Sequence, residues 1–144
     1  MWDGSLSPLA VLAMVALLTA GAAEAETVHF AATLTGGDEV PSNTSPGHGE
    51  LSAELETAEK VLVYRATYTG LSGPAVAAHL HGPAAPGDNA PPLVTVESAS
   101  SPISGTARLT GGQVEDLMAG KWYFNVHTQA HPGGEIRGQL RRLN

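Results

Sequence analysis

Hydrophobic and polar side chains alternate with a period of two along much of this chain. The alternation is clearest in Thr27–Gly36, Gly49–Glu56 and Ala75–His81, where every second residue is apolar. Since successive side chains of a β-strand point to opposite faces, these three segments predict half-buried strands. The segment Gly36–Gly49 is rich in glycine, proline and serine, and it predicts a long surface loop.

Five further segments predict strands, and one segment predicts a helix. The strands are expected in 61–70, 92–98, 104–110, 121–128 and 135–143. The helix is expected in Gly111–Gly120, where one or two turns end at a glycine. The 17 glycines and 10 prolines favour turns over long helices. Seven or eight short strands in about 115 residues predict an all-β fold, a Greek-key antiparallel β-sandwich or barrel with one short helix.

The first 25 residues have a different pattern from the rest. Leu9–Ala22 is an apolar run, too short to span a bilayer comfortably, and Ala23, Glu24 and Ala25 follow it as the small-x-small pattern of a signal peptidase site. We expect residues 1–25 to be a signal peptide and residues 26–144 to form one domain, periplasmic or secreted and free of the membrane once processed. An uncleaved N-terminal anchor is the alternative, because the apolar run is of marginal length.

Charge and cysteine content exclude several classes of function. The chain has 14 acidic and 7 basic residues, a net charge of -7, so the phosphates of a nucleic acid would be repelled. Nothing in the sequence forms a polybasic patch that would bind an anionic membrane surface. Because the chain has no cysteine, it has no disulfide, no thiol nucleophile and no thiolate metal ligand.

Four of the six histidines lie in two short stretches that the strand pattern can bring together. His79 and His81 are two residues apart on a predicted strand, so both imidazoles project from the same face. Ala78 and Leu80 then point to the opposite face and into the core. Two rings at this spacing can converge on one metal ion with nitrogen–metal distances near ~2.0 Å.

The second stretch begins with the strand predicted at 121–128. Trp122, Phe124 and Val126 form its apolar face, while Tyr123, Asn125 and His127 form its polar face. His131 follows in a turn before a Pro-Gly-Gly sequence, where the chain can fold back toward His127. In the next strand Arg137 and Glu135 fall on the polar side, and either Glu135 or Asn125 is a candidate to orient an imidazole through its second nitrogen.

The ligand chemistry of His79, His81, His127 and His131 favours a transition metal. Three or four imidazoles without thiolates suit copper, zinc or nickel, and copper(II) binds most tightly of these. We therefore expect one copper ion per chain. The alternative is that these are surface histidines without a ligand, as we expect for His29 and His48.

The same residues resemble a known family. The stretches "AAHLHGPAAPGDNAPPLV" and "LMAGKWYFNVHTQAHPGGEIRGQL", with "ATLTGGDEVPSNTSPGHGELSAEL" upstream, resemble the CHRD domain, named after chordin and common in exported bacterial proteins. The resemblance covers residues 30 to 140. His131 departs from the family pattern, which more often has asparagine there. A role in binding growth factors, as in chordin, is not carried over to a small exported domain.

The order of the histidines and the arginine is similar to the copper site of copper/zinc superoxide dismutases. That resemblance implies His79 and His81 as the paired ligands, His127 as the late ligand and Arg137 as a catalytic residue that guides the anion. His131 would supply the remaining imidazole. The cysteine pair and the zinc loop of that family are absent here, so the resemblance implies a copper-only site.

Two classes of function follow from these observations. The first is an exported copper-binding protein, with copper-dependent superoxide dismutation as its most specific form and superoxide or another small anion as the substrate. Copper buffering without turnover would use the same residues. The second is a metal-free extracytoplasmic binding or adhesion module, whose loops would contact a protein or a glycan. Separately, the alternative interpretation of Glu135 and Arg137 is an exposed cross-strand ion pair of little energetic value.

Overall fold

The computed structural model describes Gly21 and residues 24–144 and confirms the all-β prediction. Most of the signal peptide expected at residues 1–25 lies outside the described residues. The strands are β1 (Thr27–Thr35), β2 (His48–Glu56), β3 (Val61–Thr69), β4 (Ala75–His81), β5 (Pro92–Thr95), β6 (Ile103–Arg108), β7 (Tyr123–Thr128), β8 (Ile136–Gln139) and β9 (Arg141–Arg142). The helix α1 spans Gly111–Met118, and a short 3-10 turn spans Gly36–Asp38. Among the described residues, no helix has the length and apolar character needed to cross a membrane.

All strand pairs are antiparallel and belong to one sheet. The strands follow the order β5-β4-β7-β8-β1-β2-β3-β6, and β9 pairs with β1 beside this path. The sheet curls into a nearly closed barrel or sandwich. The segment predicted as one final strand is divided into β8, which pairs with β7, and β9, which pairs with β1. Leu140 separates the two and is fully buried.

The core follows the predicted alternation. Val28, Phe30, Ala32 and Leu34 of β1 all point inward, and so do the alternating apolar residues of β2 and β3. Burying one such leucine or phenylalanine side chain stabilises the fold by about 1.5–3 kcal/mol relative to leaving it exposed. The helix α1 begins at a capping box in which the Thr110 side chain accepts from the Gln113 backbone, and it contributes Leu117 to the core.

The register of β4 against β7 determines where the histidines lie. His79 is paired with Asn125, Ala77 with His127, and His81 with Tyr123. Ala78 and Leu80 are fully buried on the core side, as predicted, so both β4 histidines lie on the other face. Directly paired side chains on neighbouring strands lie about 4.5–5.5 Å apart at Cβ, so this register assembles the three imidazoles into one patch.

Glu135 is a fully buried carboxylate, and the exposed ion pair considered for Glu135 and Arg137 is wrong. Its oxygens accept hydrogen bonds from Ser45 Oγ at 2.9 Å, the Ser72 backbone N–H at 2.9 Å and Thr128 Oγ1 at 2.8 Å. Ser72 Oγ also donates to it. Burial alone would raise the pKa of Glu135, but these hydrogen bonds outweigh burial and hold the pKa below its ordinary value.

These bonds tie two loops to the end of β7. Ser45 belongs to the segment Gly36–Gly49, and Ser72 belongs to the connection between β3 and β4. Asn43 adds a hydrogen bond from Nδ2 to the Glu135 carbonyl oxygen at 3.0 Å. The segment predicted as a surface loop is therefore fastened along part of its length, because its side chains satisfy a buried charge.

We predict that Glu135→Gln lowers the free energy of unfolding by about 2–3 kcal/mol, because an amide cannot accept from every donor around it. Urea unfolding of both proteins at pH 7 measures the difference. Glu54→Gln, at an exposed position of β2, is the matched control and should change stability by less than about 0.5 kcal/mol.

The stability difference between wild type and Glu135→Gln should depend on pH in a defined direction. Since the folded-state pKa of Glu135 is depressed, its stabilisation is present above the ordinary value of 4.5 and is lost as pH falls through the folded-state value. The gap between wild type and Glu135→Gln should therefore shrink in acid. A gap that stays constant down to unfolding would contradict this assignment.

Candidate metal centre

Three imidazoles converge on the outer face of β4 and β7. His79, His81 and His127 each offer one ring nitrogen, and these three atoms lie within 4.8 Å of one another. The shortest separation is 3.0 Å, between His79 Nδ1 and His127 Nε2. An ion bound at ~2.0 Å by imidazole spans nitrogens up to about 4 Å apart, so a modest ring movement brings all three within bonding distance.

The second nitrogens of two rings are held by backbone carbonyls. His81 Nδ1 lies 2.8 Å from the Ala90 carbonyl oxygen, and His127 Nδ1 lies 2.9 Å from the Pro132 carbonyl oxygen. A carbonyl oxygen can only accept, so both Nδ1 atoms carry the proton and donate it. The unprotonated Nε2 atoms of His81 and His127 are then the ones directed into the cluster.

Asn125 lies between these two rings. Its Oδ1 is 2.9 Å from His81 Nε2 and 2.9 Å from His127 Nε2. Because the protons of both rings are on Nδ1, neither Nε2 has a hydrogen to donate to this oxygen. The lone pairs of His81 Nε2 and Asn125 Oδ1 therefore face each other without a proton between them, whereas His127 Nε2 has His79 Nδ1 at 3.0 Å as a possible donor. A bound cation would satisfy the lone pairs of His81 and Asn125. The residues present fit a metal ion.

Burial favours the neutral form of two of the three imidazoles, those of His79 and His81. It lowers the pKa of His79, and the neighbouring His127 and His81 lower it further. Burial also lowers the pKa of His81, against the hydrogen bonds with Ala90 and Asn125 that favour the protonated ring. Neutral imidazole is the form that binds a metal. His81 is 8% exposed, whereas His79 and His127 are partly exposed, so the cluster opens to solvent on one side.

Arg137 lies close to the cluster but does not face it directly. Its side chain is 2% exposed, and its guanidinium carbon lies 3.4 Å from the centre of the Tyr123 ring. Nη1 donates to Asn89 Oδ1 at 2.9 Å, and Nη2 donates to the Asp88 carbonyl oxygen at 2.6 Å. The structure thus places the predicted anion-guiding residue under the loop between β4 and β5.

His131 is brought to Glu135 and not to the other three imidazoles. His131 Nε2 lies 3.7 Å from Glu135 Oε1. The turn is closed by backbone hydrogen bonds between Thr128 and His131 in both directions, and this closure directs the ring toward the buried carboxylate. His29 lies beside Glu54, and His48 lies beside Thr69, both away from the cluster.

The sequence interpretation missed part of the site. It named Glu135 or Asn125 as a residue that could orient a second nitrogen. Glu135 instead accepts from Ser45, Ser72 and Thr128, and Asn125 contacts the Nε2 atoms, while backbone carbonyls orient the rings of His81 and His127. Carbonyls such as that of Ala90 have no sequence signal. Tyr123 stacks on His81, with ring centres 4.6 Å apart and planes 5° from parallel, and its position on the polar side of β7 was the available clue.

Glu39 is a buried carboxyl beside Asn125 and Arg137. It is 5% exposed, and its Oε1 has no hydrogen-bond partner among the described residues. Burial raises the pKa of Glu39 to about 7, against the charge of Arg137 and the amide of Asn125, which lower it. The carboxyl is therefore close to half protonated at neutral pH.

We predict that ionisation of Glu39 reduces stability as pH rises. Between the ordinary value of 4.5 and about 7 the folded state holds a proton on Glu39 that the unfolded state has lost, so the contribution of Glu39 to stability falls across this window. The difference corresponds to roughly 3 kcal/mol at most.

Urea unfolding of metal-free protein at pH 5 and pH 8 measures this effect. Glu39→Gln should lack this pH-dependent contribution, so the stability of the wild type relative to that variant should be lower at pH 8 than at pH 5. Glu50→Gln, at an exposed position of β2, is the control and should retain it. Parallel pH profiles for wild type and Glu39→Gln would contradict the assignment.

Comparison with known proteins gives one family match. A family model of the CHRD domain matches residues 30–140, which is most of the described chain. No curated protein and no solved structure matches this sequence.

Proposed function

The chain belongs to the CHRD domain family, an extracytoplasmic type of domain, and we propose that it is an exported, periplasmic or secreted, copper-binding protein. One copper ion would be held by His79, His81 and His127. The single observation that carries the proposal is the direction of the ring nitrogens. His81 Nε2 and His127 Nε2 both lie 2.9 Å from Asn125 Oδ1. Neither carries a proton, because the Ala90 and Pro132 carbonyls accept the protons on Nδ1.

The chemical type of the candidate ligands favours some metals over others. The group of residues able to hold an ion, within the part of the chain that the structure describes, consists of three histidines and no carboxylate. Calcium and magnesium prefer oxygen ligands, so an all-imidazole site disfavours them. Imidazole suits copper, zinc and nickel, and copper(II) has the highest affinity in the divalent series.

Each residue of the site has a distinct part in this proposal. His79, His81 and His127 bind the ion. The Ala90 and Pro132 carbonyls hold two of the rings in the binding tautomer. The partial exposure of His79 and His127 leaves one side of the site open to a small molecule. When bound, copper would supply one-electron redox chemistry.

Superoxide dismutation is the more specific form of the proposal. In this reaction one superoxide ion is oxidised to dioxygen, and a second, with two protons, is reduced to hydrogen peroxide. The open side of the site supports access for a small anion. The positive charge of Arg137 lies near the site as well, against the Tyr123 ring that stacks on His81, although the guanidinium is buried.

We predict that protein stripped of metal and offered copper and zinc together retains about one copper per chain. Elemental analysis after gel filtration measures the metal content. The double variant His79→Ala/His127→Ala should lose at least 100-fold in copper affinity, because two of the three ligands are gone. The double variant His29→Ala/His48→Ala removes two exposed histidines elsewhere and should bind as wild type does.

The variant His131→Ala distinguishes a site with three histidine ligands from a site with four. Because His131 faces Glu135, this variant should still bind one copper. A folded wild-type protein that binds no metal would overturn the proposal and leave the metal-free binding module. Copper retained without catalysed loss of superoxide would limit the function to binding.

A further inference from the structure

We propose that Tyr123 is a positioning residue of this centre, which selects the ring nitrogen that His81 offers to the metal. Its phenol holds Ala90 in place, and the Ala90 carbonyl in turn keeps the proton of His81 on Nδ1. The consequence for metal affinity rests on the proposed function. The consequence for the His81 tautomer does not, because it concerns the metal-free protein.

The hydrogen bonds of the phenol are reciprocal. The Ala90 backbone N–H donates to Tyr123 Oη at 3.1 Å, and Tyr123 Oη donates to the Ala90 carbonyl oxygen at 3.2 Å. The same carbonyl oxygen accepts from His81 Nδ1 at 2.8 Å. Its two lone pairs are therefore both used, one by the phenol and one by the imidazole.

The loop that carries Ala90 is anchored on both sides of it, at Asn89 and where Pro92 pairs with His81, while Tyr123 bonds both the N–H and the carbonyl of Ala90 itself. It connects β4 with β5, and Asp88 and Asn89 are exposed. Arg137 holds the two residues before Ala90, and its guanidinium lies over the Tyr123 ring. His81 stacks on the same ring from the strand on the other side of β7. Tyr123 thus joins the ligand, the arginine and the loop.

The position of the Ala90 carbonyl matters because His81 has a competing tautomer. With Nδ1 unpaired, the ring proton can move to Nε2 and be donated to Asn125 Oδ1, which is 2.9 Å away. His81 is largely buried, so water is a poor substitute for the carbonyl. The competing tautomer has no lone pair on Nε2, and the metal would lose a ligand.

Tyr123→Phe tests this proposal with the removal of a single oxygen. The ring that stacks on His81 and underlies Arg137 remains. Long-range proton–nitrogen NMR on metal-free protein reports which ring nitrogen of His81 carries the proton. We expect the Nδ1–H form in the wild type and a shift toward the Nε2–H form in the variant. Copper affinity, from competition titration, should fall about 10-fold, which corresponds to loss of one good hydrogen bond.

Tyr68→Phe is the matched control. Tyr68 Oη donates to the Ala99 carbonyl oxygen at 2.6 Å, so this variant also loses one phenol–carbonyl hydrogen bond, on β3 and away from the three candidate ligands. It should leave both the His81 tautomer and copper affinity unchanged. A general loss of stability would affect both variants, whereas a positioning role affects only Tyr123→Phe.

A folded Tyr123→Phe protein with His81 still in the Nδ1–H form would overturn the proposal. If that variant fails to fold, the wild-type protein still tests the proposal. Either His81 in the Nε2–H form or fast exchange of the Ala90 amide proton in the wild type would overturn the positioning role. A shifted tautomer in a protein that binds no copper would support the positioning role and overturn the proposed function. An unchanged tautomer in a protein that binds copper would overturn the positioning role and support the proposed function.

Discussion

The pairing of β4 with β7 is the constraint on which the candidate site depends. It sets His79 level with Asn125 and His81 level with Tyr123, and it leaves the small Ala77 opposite His127. A slip of one residue would send the β4 histidines into the core and bring Leu80 to the surface. The buried Ala78 and Leu80 therefore fix the register that assembles the imidazoles, and the site depends on the core behind it.

Much of the fold and part of the site could be predicted from the sequence. The period-two alternation located the strands because one face of each strand is buried. The same alternation put His79 and His81 on one face and His127 on the polar side of its strand. The structure brings these three rings together because β4 and β7 are neighbours in the sheet, which the alternation alone does not specify.

The remaining features of the site could not be predicted from the sequence, because loops cover polar side chains that the strand pattern places on the outer face. Glu135 and Arg137 occupy positions that read as exposed, yet residues near 45, 72 and 88 lie over them and supply their partners. Glu39 lies in a segment with the composition of a surface loop and is nevertheless buried. His131 faces Glu135 because of the backbone closure of its turn. Each of these outcomes depends on contacts between distant segments, which periodicity does not record.

Two of the three candidate ligands are oriented by main-chain oxygens, those of Ala90 and Pro132. Every amino acid has a carbonyl, so substitutions at these two positions keep the acceptor as long as the loop retains its path. Selection for the orientation of His81 and His127 would then act on loop geometry and leave the identity of residues 90 and 132 free to change. Variation there among homologues would be compatible with an unchanged centre.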